Sequence, residues 1–192
     1  MTKNIILVGV GGQGTILASK LLTLGLMEAG YDVKMSEIHG MSQRGGSVSS
    51  QVRYGSDVQS PVIEVGGADI LVSFEKMEAL RWLEYLKIDG KVIVNDYLIN
   101  PIFVSMGKSD YPSGIIEEIK SKVPTLAINA SDEAIKLGNP KVMNIIILGT
   151  IIGIMKLEDI DWTRIIKENV KPAFIDINIK ALEVGIALVK DA

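Results

Sequence analysis

The chain has 192 residues, a formal net charge of −3, no cysteine and one histidine, His39. These facts exclude disulfides, thiolate-held iron–sulfur clusters, thiol nucleophiles and a multi-histidine metal site on this chain. No Lys/Arg block occurs and the pI is about 5.3, so nucleic acid is not an expected partner.

Hydrophobic residues make up 47% and aromatics only 5%, which points to an aliphatic α/β core. A mean hydropathy of +0.30 leaves some apolar surface for a partner. Neither repeat nor low-complexity linker interrupts the chain, so one domain over residues 1–192 is expected.

Asn4-Ile5-Ile6-Leu7-Val8 reads as a buried strand. Gly9-Val10-Gly11-Gly12-Gln13-Gly14 follows and leads into a helix from Thr15, near its N-cap, to about Glu28, with Gly30 as its stop. Gly9, Gly11 and Gly14 match the G-x-G-x-x-G pattern. Such a turn places bare N–H groups at the carboxyl edge of a parallel sheet, although glycines there also serve close packing.

Residues 31–37 form a second strand and complete a βαβ unit with an expected right-handed crossover. Glu37 ends that strand 23 residues after Gly14, where a nicotinamide-binding domain keeps its ribose acid. The pattern then breaks. Ile38-His39-Gly40-Met41-Ser42-Gln43-Arg44-Gly45-Gly46 is polar and glycine-rich, and residues 47–54 make a strand that is either antiparallel or crosses the sheet.

A buried strand is expected at 68–74, a fifth strand at 91–95, introduced by an Asp89-Gly90 turn, and a short strand at 125–129. Helices are expected at 75–86, 113–122 and 130–137, with Ser131 capping the last. The stretch 96–111 reads as loop or short hairpin. The final third is helical: 140–155 is apolar nearly all round and therefore buried, Asp161 caps 162–170, and 175–190 is amphipathic. The run Ile145–Met155 is too short for a membrane span of roughly 20 residues. With no signal peptide evident, a cytoplasmic location is expected.

Arg44-Gly45-Gly46 offers a fixed cation and backbone donors suited to a carboxylate or phosphate, and Ser42, Gln43 and His39 add polar groups. A solvated glycine loop is the plainer reading of the same residues. Glu75-Lys76-Met77-Glu78 also reaches the carboxyl edge, and its charges read as a solvated helix start.

Three stretches together resemble the gamma-type domain of the 2-oxoacid:ferredoxin oxidoreductases: Gly9 to Gly14, Glu37 to Val48, and the strand ending at Arg53. The middle stretch is most similar to members that act on indolepyruvate. The likeness covers the chain through Arg53 in motif, and its whole length in element order. It implies a three-layer Rossmann-like domain with a mostly parallel central sheet, an irregular strand insertion after the second strand and a helical C-terminal third.

The resemblance further implies a large catalytic (alpha) subunit holding thiamine diphosphate and iron–sulfur clusters. That subunit decarboxylates the 2-oxoacid and passes electrons to ferredoxin, while coenzyme A takes the acyl group. This small subunit would bind no redox cofactor alone. Its lack of cysteine agrees, as does its lack of a Gly-Asp-Gly thiamine motif: Asp89-Gly90 follows Ile88. Both glycine-rich loops would lie on one edge and dock on that partner near where coenzyme A or substrate enters. Gly11, Gly12, Gln13 and Gly14 would supply backbone donors and close approach. Arg44 would supply charge, and His39, Ser42, Gln43, Gly45 and Gly46 would line the contact. An NAD-binding oxidoreductase using Gly9–Gly14 and Glu37 is the alternative, and a non-catalytic interaction protein is a third class.

Overall fold

A computed structural model of the chain describes residues 2–37 and 44–190. Six strands form one sheet: β1 (Lys3–Val10), β2 (Asp32–Glu37), β3 (Ser47–Gly55), β4 (Ala68–Ser73), β5 (Leu86–Asn95) and β6 (Thr125–Ile128). Their spatial order is β2-β3-β1-β4-β5-β6. β1, β4, β5 and β6 pair in parallel, whereas β3 pairs antiparallel with both β1 and β2. The irregular strand is thus an antiparallel insert, wedged between the two strands that the βαβ reading made neighbours.

The strands build two cores because side chains alternate across a sheet. Ile5, Leu7, Val72, Phe74 and Ile93 face one side, with helices α1 (Thr15–Glu28), α5 (Ala130–Lys136), α6 (Met143–Met155), α7 (Trp162–Asn169) and α8 (Ile175–Lys190). Ile6, Val8, Leu71, Val92 and Val94 face the other, with α2 (Lys76–Arg81) and α4 (Ile115–Lys122). The expected three-layer α/β architecture is what this arrangement shows.

Helix α6 is apolar nearly all round because all but its last turn lacks a solvent side. Residues Met143 to Ile152 are all buried, between the sheet on one flank and α8 on the other. Glycines allow the close approach. A Cβ on Gly185 would sit 2.0 Å from the Ile146 carbonyl oxygen, and one on Gly149 would sit 2.3 Å from that of Leu182. Among the described residues no helix is long and apolar enough to cross a membrane.

Three local expectations change, and others gain detail. The helix expected to run to Leu86 ends at Arg81 and passes through a 3-10 turn at Leu83–Tyr85 into β5. Asp89-Gly90 therefore lies inside β5, at a register irregularity where Leu86 folds over Gly90. Thr15 lies next to the N-cap of α1, as expected, as its first helical residue; the cap itself is Gly14, in the left-handed region at φ 80. Ser131 does not cap α5; its hydroxyl accepts from Asn95 instead. Residues 96–111 form a strap that contains only one helical turn, α3 (Ile102–Ser105).

Candidate functional site

The parallel strands β1, β4, β5 and β6 all end on one edge, and the segments after β1, β5 and β6 line a cavity of about 660 Å³. One wall is Gly11–Gly14. Tyr97 and Ile99 form a second, Ser131 and Ile135 a third, and Lys141 stands at the rim. Crevices at the carboxyl ends of parallel strands are where open α/β sheets bind ligands, and this volume suits a sizeable organic molecule. Its chemistry is mixed: glycine backbone, two hydroxyls, one exposed ammonium and apolar side chains. A smaller cavity of about 250 Å³ lies across the glycine loop, between Gly11, Gly12, Thr15 and Val48.

The two glycine-rich loops meet. Gly11 donates its N–H to the Gly46 carbonyl at 2.8 Å, and Gly45 donates back to Gly11 at 3.2 Å. These bonds continue the β1–β3 ladder past its last pair, Val10 with Ser47. Gly45, at φ 88, makes the turn possible, and Arg44 is exposed beside it. His39, Ser42 and Gln43 lie outside the described residues.

Within the first loop, the four residues divide. Gln13 spends its N–H on Val10 O at 3.2 Å, and Gly11 spends its own on Gly46. The Gln13 side chain turns inward: Oε1 accepts from Val10 N at 2.7 Å, and Nε2 donates to Phe74 O at 3.0 Å. Gln13 is therefore a brace between β1 and β4. Gly12 and Gly14 are the two whose N–H groups have no acceptor among the described residues. Close packing accounts for part of the glycine pattern. A Cβ on Gly9 would lie 2.8 Å from Gln13 Oε1, and one on Gly14 would lie 2.4 Å from Asn144 Nδ2.

A buried polar node ties the walls together. The Phe74 carbonyl accepts from Gln13 and also from Asn95 Nδ2 at 3.2 Å. Asn95 donates in addition to Ser131 Oγ at 2.9 Å. Glu75, only 1% exposed, accepts from Glu78 N at 2.9 Å, capping α2, and from Tyr111 Oη at 2.6 Å. The reading of Glu75 as a solvated charge is therefore corrected, although its place at the helix start holds. Burial, first, and the Glu75 acceptor, second, push the Tyr111 phenol well above the usual tyrosine range, so it remains a donor. Sequence reasoning missed Asn95 and Glu75. The signal for Asn95 was present: an amide closing the apolar run Val92-Ile93-Val94 at a strand's carboxyl end.

The nicotinamide alternative finds no support. Its ribose acid should end the strand beside β1, but β3 occupies that place. Glu37 is thereby set two strands away, on the order of 10 Å.

A three-layer α/β sheet with a braced glycine loop and a carboxyl-edge cavity is the frame of a ligand-crevice domain. Comparison with known proteins makes this specific. The chain belongs to the pyruvate ferredoxin/flavodoxin oxidoreductase family, whose profile matches residues 4–188. It is 40% identical over 196 residues to the indolepyruvate oxidoreductase subunit IorB of Pyrococcus horikoshii, covering 98% of this chain and 96% of that one. Identity to the 2-oxoglutarate synthase subunit KorC of Methanocaldococcus jannaschii is 30%, over 95% and 87%. The gamma subunit of a keto/oxoacid ferredoxin oxidoreductase from Geobacter sulfurreducens superposes with a TM-score of 0.72 at 22% identity, over 99% of both chains. The 2-oxoglutarate:ferredoxin oxidoreductase from Magnetococcus marinus, solved with 2-oxoglutarate, coenzyme A and succinyl-CoA bound, superposes at 0.76 and 18% identity. It covers all of this chain but only 31% of its own, so the same fold occurs there inside a longer polypeptide.

Proposed function

We propose that this chain is the small subunit of an indolepyruvate-type 2-oxoacid:ferredoxin oxidoreductase. The observation that carries the reading is the near full-length identity of 40% to a subunit named for indolepyruvate, against 30% for one named for 2-oxoglutarate. The proposed reaction is oxidative decarboxylation of an aryl 2-oxoacid. The carboxylate leaves as carbon dioxide, the acyl carbon is oxidised onto the sulfur of coenzyme A, and the electrons pass to ferredoxin.

Thiamine diphosphate and the iron–sulfur clusters belong to a large alpha subunit in this reading. The donor set of this chain does not fit a cluster, because clusters take thiolates and it has no cysteine. When bound in the partner, thiamine diphosphate supplies stabilisation of the carbanion left by decarboxylation. This chain's share is to bind and orient. The turn at Arg44–Gly46 and the glycine loop, joined by the Gly11–Gly46 hydrogen bonds, form one contact edge toward the alpha subunit. Gly12 and Gly14, whose N–H groups have no acceptor among the described residues, line the carboxyl-edge cavity, and Lys141 adds a positive charge to its lining. Those features suit the phosphate-bearing end of coenzyme A. The complex acts in the cytoplasm in this reading.

Arg44→Ala in the assembled complex tests the contact edge. The expected result is weaker assembly or a KM for coenzyme A raised roughly tenfold, the usual loss for one charge-assisted contact. Unchanged assembly together with unchanged coenzyme A dependence would remove Arg44 from the account.

A further inference from the structure

The strap 96–111 supplies one wall of the large cavity, through Tyr97 and Ile99, yet none of its residues is fully buried and only Tyr111 packs against a core cluster. Helix α3 buries no side chain, and Ile102, Phe103 and Met106 are 70%, 61% and 58% exposed. What places the strap is polar. Ile99 donates its N–H to Glu75 Oε1 at 3.3 Å, and Tyr111, at the far end, donates its hydroxyl to the same oxygen at 2.6 Å. Beside them, Lys76 donates its N–H to the Tyr97 carbonyl at 3.1 Å, and its ammonium pairs with Asp96 at 3.2 Å. A single buried carboxylate thus gathers both ends of the strap onto the start of α2.

We infer that Glu75 is a positioning residue: by holding Ile99 and Tyr111 together it fixes the strap as the cavity wall opposite the glycine loop and so sets the opening through which the ligand is admitted. Glu75 does not itself line the cavity. Its other oxygen caps α2 through Glu78 N, so the wall is referenced to the same segment, Phe74–Glu75, that braces Gln13 and Asn95. The opposing walls consequently keep a fixed separation. A carboxylate in this place, where solvent could not have held the strap, is worth its desolvation because it accepts three hydrogen bonds. The ligand, coenzyme A, follows from the proposed function, on which this inference rests.

Tyr111→Phe and Glu75→Gln, each in the complex assembled with its large subunit, provide the test. Tyr111→Phe removes one bond and leaves the α2 cap intact, so it survives any folding defect of Glu75→Gln. Two readouts are needed: hydrogen exchange at the Ile99 amide, and the KM for coenzyme A against kcat. The expected result is faster exchange across the strap and a KM raised about three- to tenfold, with kcat within a factor of about two of the parent, as for loss of a hydrogen bond to a charged group. Faster exchange with an unchanged KM would overturn the inference alone, as would unchanged exchange in both variants. A parent complex without saturable dependence on coenzyme A would overturn the proposed function and this inference with it.

Discussion

Asn144 donates its side-chain amide to the carbonyl of Gly14 at 3.2 Å, joining the start of helix α6 to the glycine loop 130 residues earlier in the chain. The contact explains why residue 14 must lack a side chain: the amide occupies the space a Cβ would need, and the backbone sits at φ 80. The pair adds a polar tie beside the cavity to the packing of α1 on α6 that joins the first and last thirds of the molecule.

Gly14→Ala should therefore lose roughly 2–3 kcal/mol, combining left-handed strain with the clash. Urea denaturation measures the loss. Gly14→Ala combined with Asn144→Ala should be less destabilised than the sum of the singles, because the second change vacates the colliding atoms. Strict additivity would show that the amide yields without cost.

The α6–α8 contact predicts a contrast between two glycines. Gly185→Ala drives a methyl into the Ile146 carbonyl, backbone that cannot step aside, and should cost about 3 kcal/mol. Gly153→Ala is tight only against the Val189 side chain, at 3.1 Å, with the Ile186 carbonyl at an ordinary 3.5 Å, and gains helix propensity of up to about 1 kcal/mol, so it should be neutral or mildly stabilising. Denaturation midpoints of the pair decide the matter.

Tyr54 should govern part of the alkaline stability. Burial, first, and neighbouring Tyr31 and Asp69 push its phenol from 10.0 up to about 12. The folded form keeps the proton to higher pH than the unfolded form, so the unfolded chain binds fewer protons between those values. The Tyr54 contribution is then complete below pH 10 and lost as pH rises toward 12. Tyr54→Phe, which keeps the edge contact to Tyr31 at 5.0 Å, should flatten the decline in melting temperature over that window. An unchanged slope would assign the alkaline loss to other groups.

Much of the fold was legible because its local signals agree. Ile5–Val8, Ile70–Val72 and Val92–Val94 are apolar runs bounded by glycine or polar residues, and each lies in a strand. Helix α6 declared its burial through a surface apolar nearly all round, and Asp161 announced the start of α7 and accepts from Arg164 N. The break after Glu37 was visible, but the place of β3 between β1 and β2 was not. That place depends on pairings such as Ile5 with Val52 and Met35 with Val52, which no local pattern encodes.

At the site, the meeting of the two glycine loops was legible from their common edge. The inward turn of Gln13 and the burial of Glu75 were not. The targets of these side chains, Phe74 O for Gln13 and Tyr111 for Glu75, lie 61 and 36 residues away in sequence. Single charged or amide residues carry no periodicity that would disclose such partners.

The central claim is that this chain works as the small subunit of a larger oxidoreductase, and affinity capture from its native cells under anaerobic conditions tests it most directly. The account predicts recovery of a stoichiometric large partner that bears a thiamine diphosphate motif and cysteine-rich cluster motifs, and a complex that reduces ferredoxin faster with indolepyruvate than with pyruvate or 2-oxoglutarate. Recovery of a stable homo-oligomer with no such partner would contradict it.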